Sequence, residues 1–327
     1  MYTKRREWEH KASHRSNLNL NLNAIGTLIL STGALCAHAQ SASRKDLHKQ
    51  IHTFEANAAE ADPPAMAPVA AGRIWAPLGS LYEDAAMYPQ SETAYAHAIR
   101  LFKAAPGADA DRASAIDGLG SLYMMWGDTS QAERAEQEAL SIRQAKGLTA
   151  DLEQSWYQLA GLALREHRFD KARDYAQRAV DQLQTQPDPN PDEVINARFA
   201  LGAALCRLQR YDEAIQIMQA AMDVVHRIYQ PGDFPAGFGS FLLGFTYWKS
   251  GDVERARSLM KDGAAVAQKQ LGWSHPACLV IMNVYEQYLG GTRQKDEARA
   301  VREELRQHGG IEGLQKGQGN LNLEALF

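Results

Sequence analysis

Apolar, small and turn-forming positions recur along this 327-residue chain with a period near 42 residues. The phrase Leu78-Gly79-Ser80-Leu81-Tyr82 returns as Leu119-Gly120-Ser121-Leu122-Tyr123. Equivalent positions follow at Leu159, Leu201, Leu243 and, in weaker form, Tyr285, at intervals of 41, 40, 42, 42 and 42 residues. Thirteen residues after each comes a small side chain: Ser91, Ala132, Ala172, Ala214, Ala256 and Ala298. Seven further on lie Ala98, Ala139, Ala179, Ala221 and Gly263, with Leu305 ending the series. Small residues at these offsets let two helices of a hairpin approach closely, while Leu and Tyr fill the space between hairpins. A repeat of this length predicts stacked supersecondary units rather than one globular core.

Turn signals fall where a helix-turn-helix unit needs them, at Trp126-Gly127-Asp128 and Ser250-Gly251-Asp252, before helix openings such as Asp212-Glu213-Ala214. Trp75, Leu78, Gly79, Tyr82, Tyr88, Tyr95 and Ala98 in the first unit, and Leu243, Gly244, Tyr247, Gly251 and Ala256 in the fifth, give the chain a pattern that resembles the tetratricopeptide repeat. The usual repeat is about 34 residues. The longer units here look like the kinesin-light-chain type, and the Leu271-Gly272-Trp273-Ser274-His275-Pro276 junction strengthens the comparison. The resemblance implies an all-α fold, a right-handed superhelical solenoid of about six hairpins. The sixth unit departs from it, with Tyr285-Glu286 for Leu-Gly and Gly290-Gly291 interrupting the helix, and reads as a C-terminal cap.

Composition fits such an array: 45% hydrophobic, 23% charged, 12 prolines that fall mostly between elements, and no alternating Val/Ile/Thr run that would predict a strand. Lys4, Arg5, Arg6, Lys11 and Arg15 precede an apolar run from Ala24 to Leu35 that ends in Ala37-His38-Ala39, which predicts a secretory signal peptide over residues 1–39. Residues 40–72 then form an N-terminal helix, placed at Lys45 to Ala56, and a Pro/Ala linker; residues 73–308 form the repeat array, and 309–327 a flexible tail. The expected location is periplasmic or secreted, without stable membrane insertion after cleavage near Ala39. Removing five basic and two acidic residues takes the net charge from −4 to −7, which argues against nucleic acid as a partner. Cys206 and Cys278 would remain, in different units, as buried thiols rather than a disulfide framework.

Searches for catalytic chemistry come back empty. His48 and His52 share a helical face but lack a third ligand, so no metal is expected and no cofactor is implied. Gly118-Leu119-Gly120 and Gly237-Phe238-Gly239 lack the third glycine of a dinucleotide loop. Asp188, Asn190 and Asp192 imitate a calcium loop, yet Glu193 stands at its sixth position and Phe199 at its twelfth.

The resemblance places the first helix of each unit along a concave inner face and assigns the inward positions. It yields an aromatic row of Tyr157, Phe199 and Phe241, widened by Phe238, Phe245 and Trp248, beside a basic row of Arg165, Arg207 and Lys249. Such a groove suits a peptide segment with an aromatic residue and nearby carboxylates. The family's carboxylate clamp is not kept, because Ala76, Ser80, Asp117 and Ser121 replace its Lys and Asn residues. The expected function is therefore a non-catalytic, exported protein-binding module of unidentified partner, a scaffold in an envelope assembly. The alternative is an architectural array that self-associates through its ends or convex face.

Overall fold

The computed structural model describes residues 44–61, 66–85, 87–149, 152–273 and 275–308; the expected signal peptide, the C-terminal tail and Asp62 to Ala65 of the expected linker lie outside them. Thirteen α-helices and no strand occur among the described residues. Helix α1 is Arg44–Ala61. Six helix pairs follow: α2 (Pro68–Asp84) and α3 (Tyr88–Lys103), α4 (Asp109–Trp126) and α5 (Thr129–Ala145), α6 (Leu152–Arg165) and α7 (Phe169–Gln184), α8 (Pro191–Arg207) and α9 (Tyr211–Ile228), α10 (Phe234–Ser250) and α11 (Val253–Leu271), α12 (Pro276–Gly291) and α13 (Lys295–Gln307). Every Leu-Gly marker position falls on the first helix of a pair and every small-residue series on the second. Helix α2 starts at Pro68, inside the stretch read as linker, where proline's fixed φ suits a first helical turn. Pro77 lies within α2, an exception to the expectation that prolines fall mostly between elements.

The chain divides within α6 into two compact units, residues 40–162 and the residues from 163 onward. In the first, α1 packs on α2, and α2 to α5 pack pairwise in order. Helix α1 runs five residues beyond the expected Ala56. It buries Ile51 and Ala58 against Leu78 and Tyr82, and the Tyr82 hydroxyl donates to Glu55 at 2.7 Å. That seat turns His48 and His52 outward to solvent.

The same unit holds a buried polar network. Arg143 of α5 donates to both carboxylate oxygens of Asp117 on α4, at 3.0 and 2.5 Å, and to the Ser155 hydroxyl of α6 at 2.5 Å. Glu136 beside them is fully buried, and no donor from the described residues reaches either of its oxygens. Burial and the neighbouring Asp117 charge push its carboxyl well above the usual range, outweighing the attraction of Arg143, so its protonated form, which can donate to Asp117, is favoured. Gly120 makes room for it: a Cβ there would lie 2.4 Å from Glu136 Oε1.

In the second unit α7 packs on α8, α8 on α9 and α10, and α9 to α13 pack in sequence. Helices α10 and α11 approach each other closely at Gly263. A Cβ at Gly263 would stand 2.5 Å from the Gly237 carbonyl oxygen and 2.7 Å from Phe241 Cβ, so the glycine in the small-residue series is required by backbone contact. Gly263→Ala is expected to destabilise this unit by about 1–3 kcal/mol through overpacking, against the ~1 kcal/mol that alanine gains in a helix. Urea titration followed by circular dichroism measures the balance, and a more stable variant would contradict the close approach.

One turn recurs through the pairs. Gly127 and Gly251 cap α4 and α10 in the left-handed region, with φ of 90° and 95°. Asp128 and Asp252 then cap the following helices by accepting from the Gln131 and Arg255 backbone N–H groups at 3.0 Å. His167, Gln209 and Arg293 occupy the same repeat position with φ of 58°, 60° and 65°. A side chain there is uncommon, and its backbone must be held by the surroundings.

A candidate anion-recognition site at the helix ends

The basic row occupies the last turns of successive first helices. Arg165 ends α6, Arg207 ends α8, and Lys249 is next to last in α10. Each precedes by two residues the left-handed turn at His167, Gln209 or Gly251. The negative ends of the helix dipoles favour cations here by ~0.3–1 kcal/mol each. At the next repeat position stands Gly291, where a Cβ would be 3.4 Å from the Trp248 ring.

The structure brings Arg207, Lys249 and His167 into one electrostatic neighbourhood. The Arg207 guanidinium lies 4.2 Å from the centre of the Phe169 ring and 3.5 Å from His167 Nδ1. The Lys249 ammonium lies 4.3 Å from the centre of Trp248 and 5.3 Å from that of Phe245. Trp248 is held edge-on by Phe245 and Tyr288, at 5.8 and 5.6 Å. Among the described residues neither Arg207 nor Lys249 forms an ion pair with a carboxylate, and Arg207 Nη1 is buried without an acceptor.

Desolvation is the main influence on these cations. It lowers Arg207 to about 10 and, with Arg207's like charge adding to it, Lys249 to about 8. Attraction to the ring faces, ~0.5–2 kcal/mol, opposes the loss only in part. Arg165 is lowered to about 10 by its own burial, with Glu166 nearby pulling the other way. His167 is lowered by burial and by Arg207. A positive cluster that is partly stripped of water and repels itself favours an anion that can approach from solvent.

The aromatic row is a correction to the sequence reading. Tyr157, Phe199, Phe238, Phe241 and Phe245 are only 1–6% exposed, so they are packing between helices and have almost no area left for a ligand. Phe199 touches the position of Gly239, and Phe241 sits against Gly263. Of the expected groove, Trp248 and the three cations keep solvent access. His167 and Phe169 belong to the site and were missed; the signal was their placement at the turn that Gly127 and Gly251 mark elsewhere.

Other candidates supply less. Cys206 and Cys278 are buried free thiols, as the sequence predicts, both pushed up to about 11 by desolvation. Among the described residues no three His, Cys, Asp or Glu side chains gather as metal ligands, and no helix is long and apolar enough to cross a membrane. A cleft of about 250 Å³ lies between α7, α8 and α9, lined by Leu183, Pro189, Val194 and Val224, but its Arg198 is committed to the Ala220 carbonyl.

The profile of the tetratricopeptide repeat family matches residues 71–145 and 151–229. No curated protein sequence matches the chain. Among solved structures, BtubC (BKLC) from P. vanneervenii is 20% identical with a TM-score of 0.59, over 71% of this chain and 94% of that one. A Rap protein complexed with Competence and Sporulation Factor is 14% identical with a TM-score of 0.54, over 89% and 93%. A putative kinesin light chain from Podospora anserina with nearly identical repeats is 13% identical with a TM-score of 0.51, over 60% and 94%. At these identities the likeness is one of fold.

Proposed function

Because the chain is a tetratricopeptide repeat protein, a fold of interaction modules, we propose that it is a non-catalytic protein-binding module that captures an acidic segment of its partner at Arg207, Lys249 and His167. The observation that carries this reading is the pair Arg207 and Lys249, partly desolvated and without a carboxylate partner among the described residues. A carboxylate docking there regains the Coulomb energy that burial withholds, and charge-assisted bonds to an arginine are the stronger kind. Arg207 supplies a planar fork and Lys249 a point charge, with the half-buried Trp248 beside the lysine.

The Rap neighbour holds a factor, and peptide or protein capture is the analogous role for this chain. We place that role outside the cytoplasm. The support is the sequence of residues 1–39 alone, with its basic start, apolar run and Ala37-His38-Ala39 site. Crosslinked pull-down from an envelope extract with the tagged mature chain, wild type against Arg207→Glu, is expected to lose a partner whose crosslinked peptide is rich in Asp and Glu. Equal recovery of every partner by both proteins would overturn the reading.

A further inference from the structure

We infer that the cleft between α7, α8 and α9 is a second docking surface, which seats one large apolar side chain, leucine or phenylalanine, from a partner segment whose neighbouring residues are acidic. At about 250 Å³ the cleft falls below the ~300–1,000 Å³ of small-molecule pockets, so it suits one side chain of a larger partner rather than a whole ligand. Pro189, Pro191 and Val194 line it and keep exposed surface. The apolar surface continues onto Ile228, which at 45% is the most exposed large apolar side chain among the described residues. Ile228 stands four residues after Val224, another lining residue, and so on the same face of α9. A single exposed apolar residue is ordinary. One that adjoins an apolar recess extends the area a partner can cover.

The acidic character of the partner follows from two arginines that line the same cleft, where no carboxylate is among the lining residues. Arg198 donates from Nη1 to the Ala220 carbonyl at 2.8 Å, a bond that uses one of its five N–H groups and holds the guanidinium in place. Arg227 stands exposed in the last turn of α9. Neither arginine pairs with a carboxylate among the described residues, and Asp192, beside Pro191, accepts from the Tyr229 hydroxyl at 2.6 Å. An acidic segment therefore meets two cations at the cleft, through the stronger, charge-assisted kind of bond, and a basic segment is repelled. The cleft is separate from the Arg207 and Lys249 cluster. Val194 lies near the start of α8 and Arg207 at its end, about 20 Å apart at the rise of an α-helix. The inference shares with the proposed function only the premise of a protein partner, so the two sites can fail separately.

The test measures fluorescence anisotropy of the full mature chain with two labelled peptides, Glu-Glu-Leu-Glu-Glu and the same peptide with alanine in place of leucine. Wild type is expected to bind the leucine peptide about tenfold or more tightly than the alanine peptide, the weight of burying one large side chain. That preference is expected to vanish in Val194→Trp, which fills the cleft, and the leucine peptide is expected to bind several-fold more weakly to Arg227→Glu, a change at an exposed position. The preference is expected to persist in Arg207→Glu, which alters the other site. Equal affinity of wild type for the two peptides would overturn the proposal without reliance on any variant, as would leucine-peptide binding that Val194→Trp and Arg227→Glu both leave intact. A preference seen only after residues 309–327 are deleted, or only at dilutions that separate two copies, would give the cleft to the chain itself and overturn the proposal too.

Discussion

Replacing Arg143 by alanine is expected to cost about 3–5 kcal/mol of stability, because it leaves the Asp117 carboxylate and the Ser155 hydroxyl buried without their shared donor. The effect should appear in urea melts as a lower midpoint with little change in slope. Glu136 makes the consequence specific. Its folded carboxyl is raised above the ordinary value of 4.5, so its contribution to stability is fully present below that value and is lost as pH rises towards the folded value. Glu136→Gln keeps the shape and a donor for Asp117 and has no proton to lose. It is expected to be more stable than wild type at pH 7, with the gap narrowing towards pH 4.5. A gap that stays constant across that window would show that Glu136 is ionised in the fold.

Phe241→Ala is expected to destabilise the second unit by about 3–5 kcal/mol, the range for removing a buried phenylalanine side chain. Phe241 is 1% exposed and packs at the crossing of α10 and α11. Loss of partner capture in this variant would therefore report unfolding rather than the removal of a groove contact. Calorimetry on the purified variant measures it: a melting temperature within a degree or two of wild type would mean that the ring is a surface contact after all.

The period alone made the fold legible, because a solenoid repeats one local solution and its small residues mark each helix crossing. The turn glycines at 127 and 251 were equally readable, since φ near 90° favours glycine. His167 and Gln209 adopt the same turn without that signature. The aromatic row was misplaced for a physical reason. Positions that point between successive first helices share an offset with those that point into a groove, and only the distance between neighbouring helices decides which they are. Phe199 against Gly239 and Phe241 against Gly263 record that decision.

The buried network was out of reach in another way. Asp117 was counted among inward positions, but its partner Arg143 is 26 residues on, in a different helix, and nothing in its own neighbourhood marks it as buried. Gly120 belongs to the repeated Leu-Gly phrase, so its role as the space for the Glu136 side chain was hidden inside the family pattern. The basic row, by contrast, was visible at its 42-residue spacing. What the structure adds is that its members are partly desolvated and that Arg207 and Lys249 feel each other's charge.

The central claim is that the Arg207 and Lys249 cluster recognises an acidic segment, and fluorescence anisotropy with a labelled glutamate-rich peptide tests it most directly. Wild-type mature chain and Arg207→Glu are compared at low and moderate salt, after melts confirm that both are folded. The account predicts measurable binding by wild type, weakened by salt, and a loss of about tenfold or more in Arg207→Glu, with no preference for a lysine-rich control in the wild type. Equal affinity of wild type and Arg207→Glu for the acidic peptide, or stronger wild-type binding of the lysine-rich control, would contradict it.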